Sequence, residues 1–297
     1  MRASPKQNAI VTASYSGDFE RCKMLCESID RHATGYTKHY ILVDDHDEEM
    51  FSALAAENRE IVADRELLPS WLHRFPGRIA PKGRPFWFSR RTTILHGWHV
   101  QQLRRIAIAL HRNEDAFFYC DSDTIFTKHF DLNTLWRGEA LRLFREDDGA
   151  DVAKSDHVIW LSHAADIFQK QEILRSRHNY VQTFIAWRAD TVRQMCEHLE
   201  RVNQCHWISA VARSRKFSEC MLYGAYCDAF DEPDKHWRDH RSLCRVQWFN
   251  PPPSKGELRA FAEKLENYQV GFGIQSFVNV SPNWIREIAL HEEPAKV

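Results

Sequence analysis

Phe117-Phe118-Tyr119-Cys120-Asp121-Ser122-Asp123-Thr124-Ile125-Phe126 is a hydrophobic run that stops abruptly at two carboxylates one residue apart. The run has the length and aromatic character of a buried strand, so Asp121 and Asp123 emerge where such a strand reaches the edge of its sheet. That edge is where α/β enzymes keep their chemistry. Closely spaced aspartate oxygens suit a hard divalent cation such as Mg2+ or Mn2+, chiefly useful beside phosphate oxygens. The stretch therefore predicts a metal and diphosphate site. The plainer reading is that D-x-D arises by chance in many proteins, and that Asp-Ser at a strand end is ordinary turn chemistry.

A helix marked by Val100, Leu103, Ile106, Ala107 and Leu110 leads into this strand. Residues 9–13 read as a first buried strand. A turn follows, and then a helix whose face is Phe19, Cys22, Leu25, Cys26 and Ile29, with Asp18 placed as its N-cap. Residues 40–43 read as a second strand that also ends in acid, Asp44-Asp45-His46-Asp47. Strand, helix and strand in this order open an α/β domain with a parallel sheet. Residues 49–58 read as a helix and Ile61-Val62 as a short strand. Residues 68–98 carry four prolines, with Arg78, Lys82, Arg84, Arg90 and Arg91 among tryptophans. They predict a long basic and aromatic loop, either functional or a surface excursion pinned by Trp71, Trp87 and Trp98. Downstream, 141–144, 157–161, 184–187, 245–248 and 270–274 read as strands. Helices are expected over 191–200, from Ser218 as a cap, around 258–265 and around 285–289, with 228–241 irregular.

The 297 residues, 43% hydrophobic and 12% aromatic, are enough to bury a sizeable core. No linker or repeat divides them, so residues 1–297 are expected to form one domain. Lys plus Arg number 40 against 41 Asp plus Glu, a net charge of -1 that supplies no attraction to nucleic acid. No apolar run reaches the length that crosses a bilayer, and residues 1–15 lack the pattern of a secretory signal. The expected location is the cytoplasm, free or peripheral at the inner face of the membrane. The eight cysteines are scattered without C-x-x-C spacing, and read as reduced, buried small hydrophobes.

Ala9-Ile-Val-Thr-Ala-Ser-Tyr15, the acidic end of the second strand and the apolar strand running into Asp121-Ser122-Asp123 resemble the nucleotide-sugar domain of GT-A glycosyltransferases. More narrowly, Tyr15-Ser-Gly-Asp-Phe-Glu-Arg-Cys22, Gly97-Trp-His-Val-Gln-Gln102, Phe217-Ser-Glu219 and Leu222-Tyr-Gly224 resemble a bacterial family of uncharacterised glycosyltransferase-like proteins. The resemblance implies a Rossmann-like GT-A fold, with residues 1–130 as the donor-binding half and 131–297 as the acceptor side. It implies a hexosyltransferase-like enzyme using Mn2+ or Mg2+ and a nucleotide diphosphate sugar, with an unknown glycan, lipid or small-molecule acceptor.

Residue by residue, the resemblance puts Tyr15 and Asp18 on the nucleotide, Asp44 or Asp45 on base or ribose, Asp121 and Asp123 on metal, and Asp121 and Ser122 on donor. The plainer readings are an anchored tyrosine, a helix cap and a solvated turn. Arg105, preferred over Arg104, is a candidate clamp on the diphosphate, with Gln101 and Gln102 as further donor contacts. Their alternative is a solvated or structural place on the helix. Glu219, in the first turn of its helix beside Phe217 and Tyr223, is the candidate catalytic base or acceptor-orienting group; it could equally serve the helix N-terminus. His236, His240 and His291 are available as a further metal ligand. Two rivals stand beside the transferase: a phosphohydrolase using Asp121 as nucleophile, and a binding protein without turnover.

Overall fold

In the computed structural model the described residues are 6–77, 84–149, 155–248, 251–278 and 280–290. The central sheet contains, in chain order, β1 (Asn8–Ala13), β2 (Lys38–Val43), β3 (Arg59–Ala63), β4 (Ala116–Tyr119) and β5 (Ile185–Arg188). The main helices are α1 (Phe19–His32), α2 (Gly97–His111), α3 (Ser155–Ile167), α4 (Ala189–Asn203) and α5 (Glu219–Phe230). The strands lie in the order β5-β4-β1-β2-β3. β1 pairs in parallel with β2 and β4, β2 pairs in parallel with β3, and β5 runs antiparallel at the edge. This is the mixed, mainly parallel α/β sheet flanked by helices that the sequence predicts. The order reverses between β1 and β4, so their carboxyl ends flank a topological switch point.

Both faces of the sheet are covered, which is why its strands read as continuous apolar runs. Val11, Leu42 and Tyr119 join Leu103 and Ile106 of α2 and Leu222 of α5. Ile10 and Phe118, pointing the other way, pack with Leu25 and Ile29 of α1. Ile41 and Val43 complete that face against Cys22 and Cys26. Two polar ties fix α2 on the sheet. Arg104 forms a buried ion pair with Asp64, just after β3, with one hydrogen bond of 2.8 Å. The Tyr119 hydroxyl donates to the Arg105 carbonyl at 2.8 Å.

Beyond the aspartate turn the chain enters a second sheet, where Thr124–Phe126 pairs antiparallel with Gly271–Ile274. That strand in turn runs parallel to Cys244–Gln247. Segments far apart in sequence thus meet directly after Asp123. A Cβ on Gly271 would lie 2.2 Å from the Ile125 carbonyl oxygen, so only glycine lets the two backbones approach this closely.

Four local expectations are corrected. Residues 157–161 lie within helix α3, whose buried face includes Leu161, Ala164, Ala165 and Ile167; a short apolar run does not by itself distinguish a strand from a helix. Residues 236–239 form a strand paired in parallel with Ala140–Phe144, although their composition reads as irregular. The 68–98 region holds a three-stranded antiparallel sheet of His73–Phe75, Phe86–Phe88 and Leu95–His96, with Trp87 buried in it. The helix expected to run to Asn58 ends by Leu54. All eight cysteines are unpaired and seven are buried, as their scatter predicts.

Gly271→Ala should destabilise the fold by roughly 1–3 kcal/mol, because backbone rather than a movable side chain blocks the new methyl. Gly256→Ala, in a helix with nothing within 4 Å of the added carbon, should be neutral or stabilising. Calorimetric Tm values for the pair check the contrast; equal shifts would refute it.

Candidate active site

The turn after β4 is closed by backbone. The Asp121 carbonyl accepts from Thr124 N–H at 3.1 Å and from the Thr124 hydroxyl at 2.7 Å, and Asp121 N–H donates to Thr183 Oγ1 at 3.2 Å. Neither aspartate side chain is needed to make the turn. Both line a cleft of about 620 Å³ at the switch point.

Asp123 Oδ2 accepts from Ser276 N–H at 2.9 Å, while Oδ1 is buried with no hydrogen-bond partner among the described residues. Burial, then the charge of Asp121, pushes the Asp123 carboxyl up to about 7. A buried carboxylate oxygen without a donor, beside a second carboxylate, fits a hard divalent cation taking the place of the proton. Among the described residues the group of three His, Cys, Asp or Glu side chains that could converge on one ion is Cys227, Asp231 and His236, not Asp18, Asp121 and Asp123. The aspartate pair therefore suits an ion whose shell is completed by oxygens of a ligand.

Arg105 stands between the two halves of the cleft. It donates to Glu219 Oε1 at 2.8 Å and also to Asp121 Oδ1. Burial opposes its charge, yet Asp121 and Glu219 together raise its proton affinity above that of an ordinary guanidinium. Gln102 accepts from Glu219 N–H at 3.0 Å and Ser218 Oγ from Met221 N–H at 3.4 Å, so both secure the start of α5. Gln101, one residue earlier, faces the cleft.

Asp18 occupies the N-cap position of α1, but its side chain caps nothing. It is buried at the cleft, where desolvation raises its carboxyl above the usual range against Arg21 and the hydroxyls of Ser122 and Ser276. Tyr15 is half exposed on the same wall, its ring lying over Gly17, where a Cβ would fall 2.5 Å away. Glycine is thus what gives the ring its place.

Other expected residues lie elsewhere. Asp44 pairs with Arg74 and accepts from His46 N–H at 3.0 Å, and Asp45 accepts from Arg65 N–H at 3.0 Å. Their oxygens hold neighbouring segments, and neither lines the cleft. Of the basic residues in 68–98, Arg84 reaches it, Arg91 lies over Trp71 instead, and Arg78 and Lys82 fall outside the described residues. Arg104 is committed to Asp64. His236 is buried against Tyr223, Cys227 and Asp231, where its ring nitrogens meet Asp231 at 2.9 Å and Tyr223 at 2.8 Å. The Tyr223 hydroxyl also accepts from Arg188 N–H at 2.8 Å, so the cluster is a polar staple between α5, β5 and the 236–239 strand. His240 lines a separate depression with Arg145, and His291 falls outside the described residues.

Sequence reading missed Ser276 and Phe277, Trp160, Trp248 and Gln182, all on the cleft wall. Ser276 and Phe277 follow a strand that joins the site only through the second sheet, with no local motif. Trp160 was hidden by the wrong assignment of its segment. Among the described residues no helix is long and apolar enough to cross a membrane.

The raised Asp123 carboxyl predicts a pH signature in the metal-free protein. Ionising a group whose folded value lies above its ordinary 3.8 costs the folded state; the stability is fully present below that value and is lost as pH rises through about 7. Asp123→Asn should therefore raise Tm at pH 8 by on the order of 2–4 °C, with the gain vanishing towards pH 4. A Tm difference independent of pH would contradict it.

Comparison with known proteins adds the following. Among solved structures, the chain is similar to core-mannan synthase A (CmsA/Ktr4) from Aspergillus fumigatus in its Mn/GDP form, with 12% identity, a TM-score of 0.44, and coverage of 80% of this chain and 74% of that one. No curated protein matches the sequence. The model of a family of unknown function, DUF6492, matches residues 8–251, and the chain belongs to that family.

Proposed function

We propose that the cleft binds a nucleotide diphosphate sugar with a divalent cation and transfers the sugar to an acceptor hydroxyl. The observation that carries this reading is the Asp121–Asp123 turn at the switch point, with a buried Asp123 oxygen that has no partner among the described residues and with Arg105 between Asp121 and Glu219. Asp123, with Asp121, would hold Mn2+ or Mg2+; when bound, such an ion neutralises charge on the departing diphosphate. The ring of Tyr15 offers a face for the base, and Asp18 and Ser122 offer polar atoms for the donor.

In transfer, the bond from the anomeric carbon to the diphosphate oxygen breaks and a bond to the acceptor oxygen forms. Arg105 suits the leaving diphosphate, because a guanidinium can give it two parallel hydrogen bonds. The Oε1 of Glu219 is engaged by Arg105, while Oε2 accepts nothing from the described residues and is the oxygen offered to the acceptor. With inversion it receives the acceptor proton; with retention it orients the hydroxyl. Binding without transfer is the second reading, favoured by the pairing of Arg105 with both carboxylates, which occupies the groups that transfer would use.

A thermal-shift series with UDP-, GDP- and dTDP-sugars, with and without Mn2+, tests the proposal. One nucleotide class should raise Tm only with metal, in line with its affinity for the folded state. Asp123→Ala should lose that shift, and Arg105→Gln should weaken it by about tenfold in affinity. Donor hydrolysis followed in the same samples separates transfer from binding alone. Shifts that ignore metal and survive both substitutions would sink the reading.

A further inference from the structure

The cleft has two ends of different chemistry. Near Asp123 lie Ser276 and Phe277, Tyr15 with its neighbour Arg84, and Trp248 at the close of the strand paired with Gly271–Ile274. Towards Glu219 the lining includes Trp98, which reaches Phe217 through His99, Trp160 beside it, Gln182, whose backbone meets Cys220, and Gln101, three residues along α2 from Trp98. We infer that Trp98 and Trp160 form the acceptor subsite, and that its occupant is a neutral saccharide.

Trp98, Gln101, Gln102 and Arg105 are spaced at i, i+3, i+4 and i+7, so they follow one face of α2. From Trp98 to Arg105 the helix axis rises about 10 Å. Arg105 touches Glu219, so a sugar ring resting on Trp98 would leave room for its neighbour to reach the Glu219 carboxylate.

The platform is held. The Trp98 and Trp160 rings are 6.2 Å apart at 37°, and Trp160 stacks on His157 at 5.3 Å. Trp98 also meets His99 edge-on, and His99 hydrogen-bonds the Arg215 backbone at 2.9 Å and packs against Phe217, which leads directly to Glu219. Yet Trp98 itself is 51% exposed, a large indole face at the cleft mouth that the core does not use.

An aromatic face binds the apolar C–H side of a pyranose, and amide side chains pair with its hydroxyls without requiring a charge. Gln101 and Gln182 supply such amides. The cationic Arg84 neighbours Tyr15, Arg105 is engaged by Asp121 and Glu219, and the described residues named on this wall carry no charge to select a carboxylate or phosphate on the acceptor. A lipid tail would leave the amide groups unpaired.

The inference rests on the transferase reading, and saturation-transfer NMR on the full chain separates the two. The probes are a panel of neutral hexose disaccharides, the corresponding uronic acids, and UDP and GDP with Mn2+. The expected result is binding of at least one neutral disaccharide, weakened about tenfold or more by Trp98→Ala and by Trp160→Ala and retained in Trp98→Phe. Nucleotide affinity should stay within about twofold in all three variants. The inference falls if the wild type binds no neutral disaccharide, if it prefers the uronic acids, if the alanine variants bind disaccharide as well as the wild type, or if Trp98→Ala loses nucleotide instead. Disaccharide binding that depends on Trp98 and Trp160 in a chain that binds neither UDP nor GDP with Mn2+ would support the subsite while counting against the transferase reading.

Discussion

The parallel pairing of β1 with β4 is the constraint on which the site depends. It runs in register from Asn8 opposite Ala116 to Val11 opposite Tyr119, and ends with the Cys120 N–H donating to the Val11 carbonyl at 2.9 Å. Past that bond the two chains part. One turns through Tyr15 to Asp18 and the other through Asp121 to Asp123, so two loops separated by about a hundred residues open side by side on one crevice. Had the central pair been antiparallel, the two loops would lie at opposite edges of the sheet.

Within the crevice, the charge balance is set by Arg105. Three carboxylates, Asp18, Asp121 and Asp123, stand near one another, with Glu219 across the cleft. One buried guanidinium bridges Asp121 and Glu219, and Arg21, which also donates to the Ile274 and Val280 carbonyls, opposes the charge at Asp18 and Asp123. Asp123 Oδ1 is left without a donor among the described residues, and burial, with the charge of Asp121, makes the carboxyl hold a proton more tightly than usual. Such residual strain is tolerated because Tyr119, Gln102 and the Arg104–Asp64 pair fix the elements around it. A rigid frame around an under-satisfied carboxylate is a common arrangement where a ligand is meant to enter.

The plainer readings of the site residues did not all share one outcome. For Asp18 the cap is absent, for Asp121 and Asp123 the turn is made by the backbone, and the side chains remain for the cleft. Asp44 and Asp45 face neither outcome cleanly: Asp44 is buried and paired with Arg74, and Asp45 is engaged by Arg65. Gln102 and Arg104 are structural supports, whereas Arg105, one step along the same helix, lies at the centre. A rotation of about 100° between successive helical residues is enough to separate Arg104 from Arg105, and sequence spacing does not reveal which face looks inward.

The amino-acid sequence by itself determined the alternation of strands and helices, the burial of the central strands and the acidic ends of β2 and β4. These are local properties, written in apolar runs, helical periodicity and the residues that stop them. It also placed Ser218 correctly as the cap that starts α5. Only the tertiary structure decided that Ser276 and Phe277 face Asp123, that Trp98 and Trp160 share one rim, and that Glu219 and Asp121 share one arginine. Those pairs are joined by the second sheet and by helix packing across 62 to 153 residues, and nothing in the composition of either partner encodes the meeting.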